Sequence, residues 1–258
     1  MAESIRGKVI RDLIGRFSND LRIGRKIKSG ELRKKIVELE PEWKCPEHLT
    51  NSVIEMKEFT MEYLEPIARK RNRVILQLHG GGYIAQMRNA YRSFAALYSE
   101  LWEGCSVLTI DYRVAPEHPY PAALEDACAA WDWLLEQGYR ESEIVVAGDS
   151  AGGGLAFALC LWLKNHRKML PAGIIAMSPW TDLTISGESI ETNFERDPLF
   201  GKTKDSLLYN KDYLGGHDPK NEYISPLFGE YEGFPPILIQ AGSYEMLLSD
   251  STRVAQKA

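Results

Sequence analysis

The segment of this sequence best suited to chemistry is Gly148-Asp149-Ser150-Ala151-Gly152. A serine hydroxyl is a poor nucleophile until a fold presents it, and the G-x-S-x-G spacing is one way of presenting it. Small neighbours at Gly148 and Gly152 permit a sharp turn from strand into helix, and the helix N-terminus sets partial positive charge beneath the hydroxyl. The flanking sequence fits, with Ile144 to Ala147 reading as a strand and Gly152 to Asn165 as a helix. Ser150 is therefore the candidate nucleophile. A second segment, His79-Gly80-Gly81-Gly82, also follows an apolar strand, Val74 to Leu78. Acyl transfer develops negative charge on a carbonyl oxygen, and backbone N–H donors meet it only where no Cβ blocks the approach. Gly81 and Gly82, with the Ala151 N–H as a third donor, are the expected oxyanion hole. Neither G-x-x-x-x-G-K-[ST] nor G-x-G-x-x-G with an acidic partner is present, so a phosphate cradle is disfavoured. His79 precedes the glycines on the strand side and is expected to pin the loop.

The elements that must position these segments alternate. Strands are expected between Val53 and Leu64, at Val74 to Leu78, Cys105 to Tyr112, Ile144 to Ala147, Ala172 to Met177 and Pro236 to Gln240. Helices are expected from Tyr91 to Trp102, from Pro121 to about Gln137 and from Gly152 to Asn165. This alternation implies a mostly parallel sheet covered on both faces. It breaks between Thr181 and Glu232, a polar stretch punctuated by Gly and Pro of the kind that forms a lid. The expected division is an N-terminal helical cap segment over 1–45, a core over 46–182, a cap insertion over 183–232 and an incomplete C-terminal part of the core over 233–258.

Composition bounds the rest. The chain has 258 residues, of which 44% are hydrophobic and 26% charged, which excludes a disordered or collagen-like class. The net charge of −5 gives no reason to expect nucleic acid. Residues 1–40 nevertheless hold 11 Lys/Arg against 6 Asp/Glu. That start fits contact with a membrane or an anionic partner, or a solvated helix face. With aromatic anchors nearly absent, the solvated face is the favoured expectation. The first 20 residues lack the apolar run of a signal peptide. The longest near-apolar stretch, Gly152 to Leu163, is too short to span a bilayer. Cys45, Cys105, Cys128 and Cys160 show no metal-type spacing, and the reducing cytoplasm is the expected location.

Three further segments extend the pattern: Asp111-Tyr112-Arg113-Val114-Ala115-Pro116-Glu117-His118-Pro119-Tyr120-Pro121-Ala122, Ser178-Pro179-Trp180-Thr181-Asp182-Leu183, and Ser225-Pro226-Leu227. With the glycine loop and the serine turn they resemble the hormone-sensitive-lipase-like family of α/β-hydrolases, in its bacterial carboxylesterase and acetyl esterase branch. The resemblance covers roughly residues 70–258. It implies an α/β-hydrolase fold with a mostly parallel central sheet, helices on both faces and a helical cap. It also implies hydrolysis of short-chain acyl esters through a serine acyl-enzyme, with a small-molecule ester as partner and no metal or organic cofactor. A homodimer is left open.

The same resemblance implies a Ser–acid–His triad in that chain order. The acid belongs on the turn Gly242-Ser243-Tyr244-Glu245-Met246-Leu247-Leu248-Ser249-Asp250, where Tyr244 or Glu245 occupies the family's place. Glu245 is the preferred acid, since the group only has to orient an imidazole and stabilise its charge. Asp250 is the alternative, with the plainer reading of a charge at a helix N-terminus. The family's His lies beyond the acid, and no His follows Glu245 here. His166 lies 16 residues along the helix from Ser150, roughly 24 Å at ~1.5 Å per residue, too far to act. His118 reads as structural, His48 sits in an early loop, and His217 in the cap is the one mobile candidate. The expectation is that the chain lacks a last strand, a His loop and a final helix, and so is inactive or weakly active as given. The alternative is a non-catalytic small-molecule-binding module on the same scaffold.

Overall fold

A computed structural model describes residues 5–18, 39–68, 72–204 and 206–258. Seven strands form its sheet: β1 (Leu49–Glu55), β2 (Thr60–Pro66), β3 (Val74–Leu78), β4 (Ser106–Asp111), β5 (Ile144–Asp149), β6 (Gly173–Met177) and β7 (Ile237–Gln240). Their order is β1-β2-β4-β3-β5-β6-β7. The pairs β1–β2 and β2–β4 are antiparallel, and every other pair is parallel. The main helices are α1 (Ile5–Ser18), α2 (Asn89–Leu101), α3 (Ala122–Glu136), α4 (Ser150–Asn165), the short α5 (Ser189–Thr192) and α6 (Leu248–Lys257).

Alternate residues of the central strands feed two cores, as the period of two in a strand requires. Val74, Leu76 and Leu78 of β3 join Leu108, Ile110, Ile144 and Val146 in the larger core, with α3 and α4 packed on that face. Ile75, Val107 and Ala147 point to the opposite face, where Ala95 and Ala96 of α2 cover them. Helix α4 is apolar almost all round, which is how a helix in the middle of a fold reads. Twelve of its sixteen residues are buried.

The register places the chemistry. Leu78 pairs with Gly148, Asp149 with Met177, and Met177 with Gln240. The loops leaving β3, β5, β6 and β7 therefore emerge side by side at the carboxyl ends of the strands, where open α/β sheets hold their ligands.

The outer segments hold less regular structure than the core. In α1 the half-buried positions are Gly7, Arg11 and Gly15, one line along the helix, while Ile5, Val9, Ile10, Leu13 and Ile14 are exposed. The outward face of α1 is aliphatic. The remainder of the N-terminal segment, residues 19–38, lies outside the described residues. The 183–232 stretch holds α5 and short 3₁₀ turns, and its last part contributes Ile224, Leu227 and Tyr231 to the larger core. Among the described residues no helix is long and apolar enough to cross a membrane.

Candidate active site

Ser150 sits at φ +50, a left-handed conformation that costs a non-glycine residue about 1–2 kcal/mol. The turn is held there by its neighbours. A Cβ on Gly148 would collide with the Gly152 carbonyl, and one on Gly152 would collide with the carbonyls of Leu78 and His79. The Trp180 N–H donates to the Ser150 carbonyl at 2.8 Å, so the loop after β6 clasps the first turn of α4.

The glycine loop leaves β3 beside this turn. Gly81 (φ +117) and Gly82 (φ +65) occupy backbone conformations that L side chains rarely adopt. A Cβ on Gly81 would also come within 2.6 Å of the Ala85 Cβ. The loop is tied to the serine turn through Asp149, whose Oδ1 accepts the Gly80 N–H at 3.0 Å. The Tyr91 hydroxyl accepts that same N–H at 2.8 Å and donates to Asp149 Oδ2 at 3.2 Å. Burial raises the Asp149 carboxyl, against the hydrogen bonds from Tyr91 and Gly80 that lower it.

His79 is wholly buried and braces the loop from behind. Its ring stacks on Tyr112 at 4.0 Å, and Nδ1–H donates to the Gly80 carbonyl at 2.8 Å. The Tyr112 hydroxyl donates to the His79 carbonyl at 2.7 Å. Burial lowers the imidazole's basicity, with Asp111 and the Gly80 bond opposing. The long Asp111–Ala122 signature thus has a physical content. Asp111 Oδ1 accepts the Met87 N–H at 2.9 Å just past the glycines, and Tyr112 carries His79. Arg113 anchors the segment to the buried Asp126 at 2.7 Å.

The turn after β7 brings Glu245 to the wall of the cavity that Ser150 lines. Glu245 Oε1 accepts the Gly242 N–H at 2.8 Å. Its Oε2 is buried and has no hydrogen-bond partner among the described residues. Asp250 stands elsewhere, on α6. Its Oδ2 accepts the N–H groups of Thr181 and Asp182, both at 2.8 Å, which fastens α6 to the loop after β6. Burial pushes the Asp250 carboxyl up to about 7.

Sequence reasoning missed the residues that hold the acid turn. Asp197 is buried, and its Oδ1 accepts the Leu199 and Phe200 N–H groups at 2.7 and 3.0 Å. Its Oδ2 takes the Met246 N–H at 2.7 Å. Asn193 Nδ2 donates to the Glu245 carbonyl at 2.8 Å, and the Ser189 hydroxyl donates to the Met246 carbonyl at 2.6 Å. The segment 189–200 therefore forms part of the cavity wall and grips the turn that carries Glu245. The one signal for it in the sequence is Asp197 before Pro198, which in a polar stretch reads as an ordinary turn.

The cavity measures about 400 Å³. Gly81, Gly82, Ser150 and Glu245 line it, together with a largely apolar wall that includes Trp180, Leu199, Phe200, Leu207 and Leu208. None of the five histidines lines it. His217 lies edge-on to Tyr120, His166 stacks on Trp162, His48 faces Glu100 at 3.5 Å, and His118 borders a separate cavity with Arg113.

Comparison with known proteins places this geometry in context. A family model described as the alpha/beta hydrolase fold matches residues 75–258. An acetyl-hydrolase of Streptomyces hygroscopicus is 40% identical over 206 residues, covering 80% of this chain and 68% of the relative. An esterase of Acinetobacter venetianus is 39% identical, covering 72% of this chain and 61% of the relative. The chain thus spans about two thirds of the length of these relatives. A crystal structure of the esterase EstE5 superposes with a TM-score of 0.86 at 32% identity, covering 97% of this chain and 83% of that one. A structure of an esterase from the bacterial hormone-sensitive lipase family superposes at 0.83 with 32% identity, covering all of this chain and 85% of that one.

Proposed function

We propose, from the premise that this chain belongs to the hormone-sensitive-lipase-like family of α/β-hydrolases, that its cavity is built for hydrolysis of carboxylic esters with a short acyl group. The observation that carries this reading is the meeting of Ser150, Gly81, Gly82 and Glu245 on one cavity. On this reading the Ser150 oxygen adds to the ester carbonyl. The N–H groups of Gly81, Gly82 and Ala151 stabilise the resulting oxyanion. The alcohol leaves with a proton, and water hydrolyses the acyl-enzyme to release the acid and regenerate Ser150. The family relatives named as an acetyl-hydrolase and an esterase support the reaction class. The apolar wall and a volume of about 400 Å³ support a short acyl group.

Glu245 is the proposed acid. Glu245 lines the same cavity as Ser150 and its buried Oε2 has no hydrogen-bond partner among the described residues, while the Asp250 carboxylate accepts from Thr181 and Asp182. The proton of Ser150 requires a base, and none of the five histidines lines the cavity. We propose that turnover depends on an imidazole outside this set. A second reading, ligand binding without turnover, draws on the same absence. We also propose that residues 1–45 and 183–232 together cap a core made of the remaining segments. The four unpaired cysteines support a reducing compartment such as the cytoplasm.

Labelling with a fluorophosphonate, followed by peptide mapping, tests the assignment. The expected adduct is on Ser150. Adduct at another residue with Ser150 unmodified overturns it, and saturable binding of an ester analogue with no adduct favours the second reading.

A further inference from the structure

We propose that α1 docks the protein on a negatively charged lipid surface. A surface helix normally turns its apolar side inward. Here Gly7, Arg11 and Gly15 face the body of the protein, and five aliphatic side chains face outward. Ile5 is 84% exposed, Leu13 60%, Val9 53%, Ile10 47% and Ile14 40%. Contiguous aliphatic surface of this kind marks a contact site on a soluble protein.

Charge selects the occupant. Arg6 and Lys8 are exposed on the same helix. The α1 sequence holds Arg6, Lys8, Arg11 and Arg16 against Asp12 alone, in a chain whose net charge is −5. A second copy would bring two such segments together and is disfavoured by like charge. An anionic lipid surface satisfies both features, taking the aliphatic residues at its interface and the basic residues among its headgroups.

Position gives the contact a use. Arg11, Asp12 and Gly15 of α1 form one wall of a cavity of about 730 Å³. Its opposite wall includes Asp197 and Pro198, which also line the cavity of Ser150. A surface docked on α1 would lie beside the mouth of that site. The delivery of lipid-dispersed esters rests on the proposed function, whereas the docking itself does not. Aromatic anchors are nearly absent from this segment, so the attachment is reversible and depends on charge.

Flotation of the whole chain with vesicles tests the proposal. Binding is expected to phosphatidylcholine vesicles containing phosphatidylglycerol at low salt, and at least about tenfold weaker binding to phosphatidylcholine alone or at high salt. Ile10→Glu with Leu13→Glu is expected to lower binding at least about tenfold, with an unchanged thermal transition because both side chains are on the outside. Arg6→Glu with Lys8→Glu is expected to abolish the preference for phosphatidylglycerol, about fivefold per residue. Equal partitioning onto the two vesicle types overturns the proposal, as does full binding by the Ile10/Leu13 variant. Light scattering that shows a dimer dissolved by Ile10→Glu with Leu13→Glu, without vesicle binding, would assign the face to a second copy instead. Fluorophosphonate labelling of Ser150 reads the site separately, so failure of one reading is distinguishable from failure of the other.

Discussion

Asp149, the residue before Ser150, accepts the N–H of Gly80 at 3.0 Å. This bond joins the serine turn to the glycine loop across the neighbouring strands β5 and β3, and the close approach leaves no room for a side chain at position 80. A Cβ on Gly80 would collide with the Asp149 carboxylate. Asp149→Ala leaves the Gly80 N–H with the Tyr91 hydroxyl alone. The expected outcome is slower fluorophosphonate labelling of Ser150 with a stability loss of about 1–3 kcal/mol, read by urea unfolding. Labelling at the wild-type rate would show that the bond does not align the loop.

Ser150→Gly is expected to be more stable than Ser150→Ala by about 1 kcal/mol, because glycine adopts φ +50 without a Cβ penalty. Both variants should lose the fluorophosphonate adduct. Equal melting temperatures for the two would show that the left-handed turn stores no strain.

These 258 residues are expected to turn over p-nitrophenyl butyrate only weakly. Without an imidazole beside it Ser150 has almost no alkoxide at neutral pH, and the proposed oxyanion donors alone are expected to leave a residual ~10³–10⁴-fold acceleration over water. In a form of the protein that does turn over, Glu245→Gln should lower kcat by about two to four orders of magnitude, and Asp250→Asn should leave it within about threefold. Robust turnover by the pure chain would refute the dependence on an imidazole outside it.

Asp250 makes a pH prediction. Burial raises its carboxyl to about 7, against the Thr181 and Asp182 N–H groups that lower it and with the charge of Asp182 raising it further. A group raised in the folded state contributes stability at low pH, and that contribution is lost as pH rises through the folded value. Asp250 therefore makes the protein less stable as pH climbs from the ordinary carboxylic range to about 7. Asp250→Asn keeps an oxygen for both N–H donors and removes this slope. Urea unfolding of both proteins across that range checks it, and parallel pH profiles would refute it.

Asp197→Ala removes the acceptor of three N–H groups, those of Leu199, Phe200 and Met246. The expected cost is about 2–4 kcal/mol, with Asp197→Asn intermediate. Chemical unfolding checks the order, and a loss below that of an ordinary surface substitution would contradict it.

The strands and the two chemical loops were legible because each has a local signature. Five buried residues in β3 run straight into His79-Gly80-Gly81-Gly82, and Gly148 to Gly152 permits only a tight turn. The role of segment 189–200 was hidden for a different reason. Ser189, Asn193 and Asp197 act on backbone groups about fifty residues away, and such pairings leave no periodicity in the chain. The partners that separate Glu245 from Asp250, the Gly242 N–H for one and the Thr181 and Asp182 N–H groups for the other, leave no mark in the sequence either. Helix α1 illustrates the limit of pattern reading. Amphipathicity shows that one side differs from the other, and only the packing of Gly7, Arg11 and Gly15 tells which side turns inward.

The grip of Asp197, Asn193 and Ser189 on the acid turn has a consequence for how the site can change. Leu199 and Phe200 line the cavity of Ser150, and the same carboxylate that holds their backbone also holds Met246, next to Glu245. The shape of this cavity wall and the placement of Glu245 are mechanically one variable. Substitutions that widen the cavity by shifting this segment will tilt Glu245 as well. The cavity is therefore more easily reshaped through side chains that line it from other elements, such as Leu208 and Trp180, than through any displacement of the 197–200 backbone.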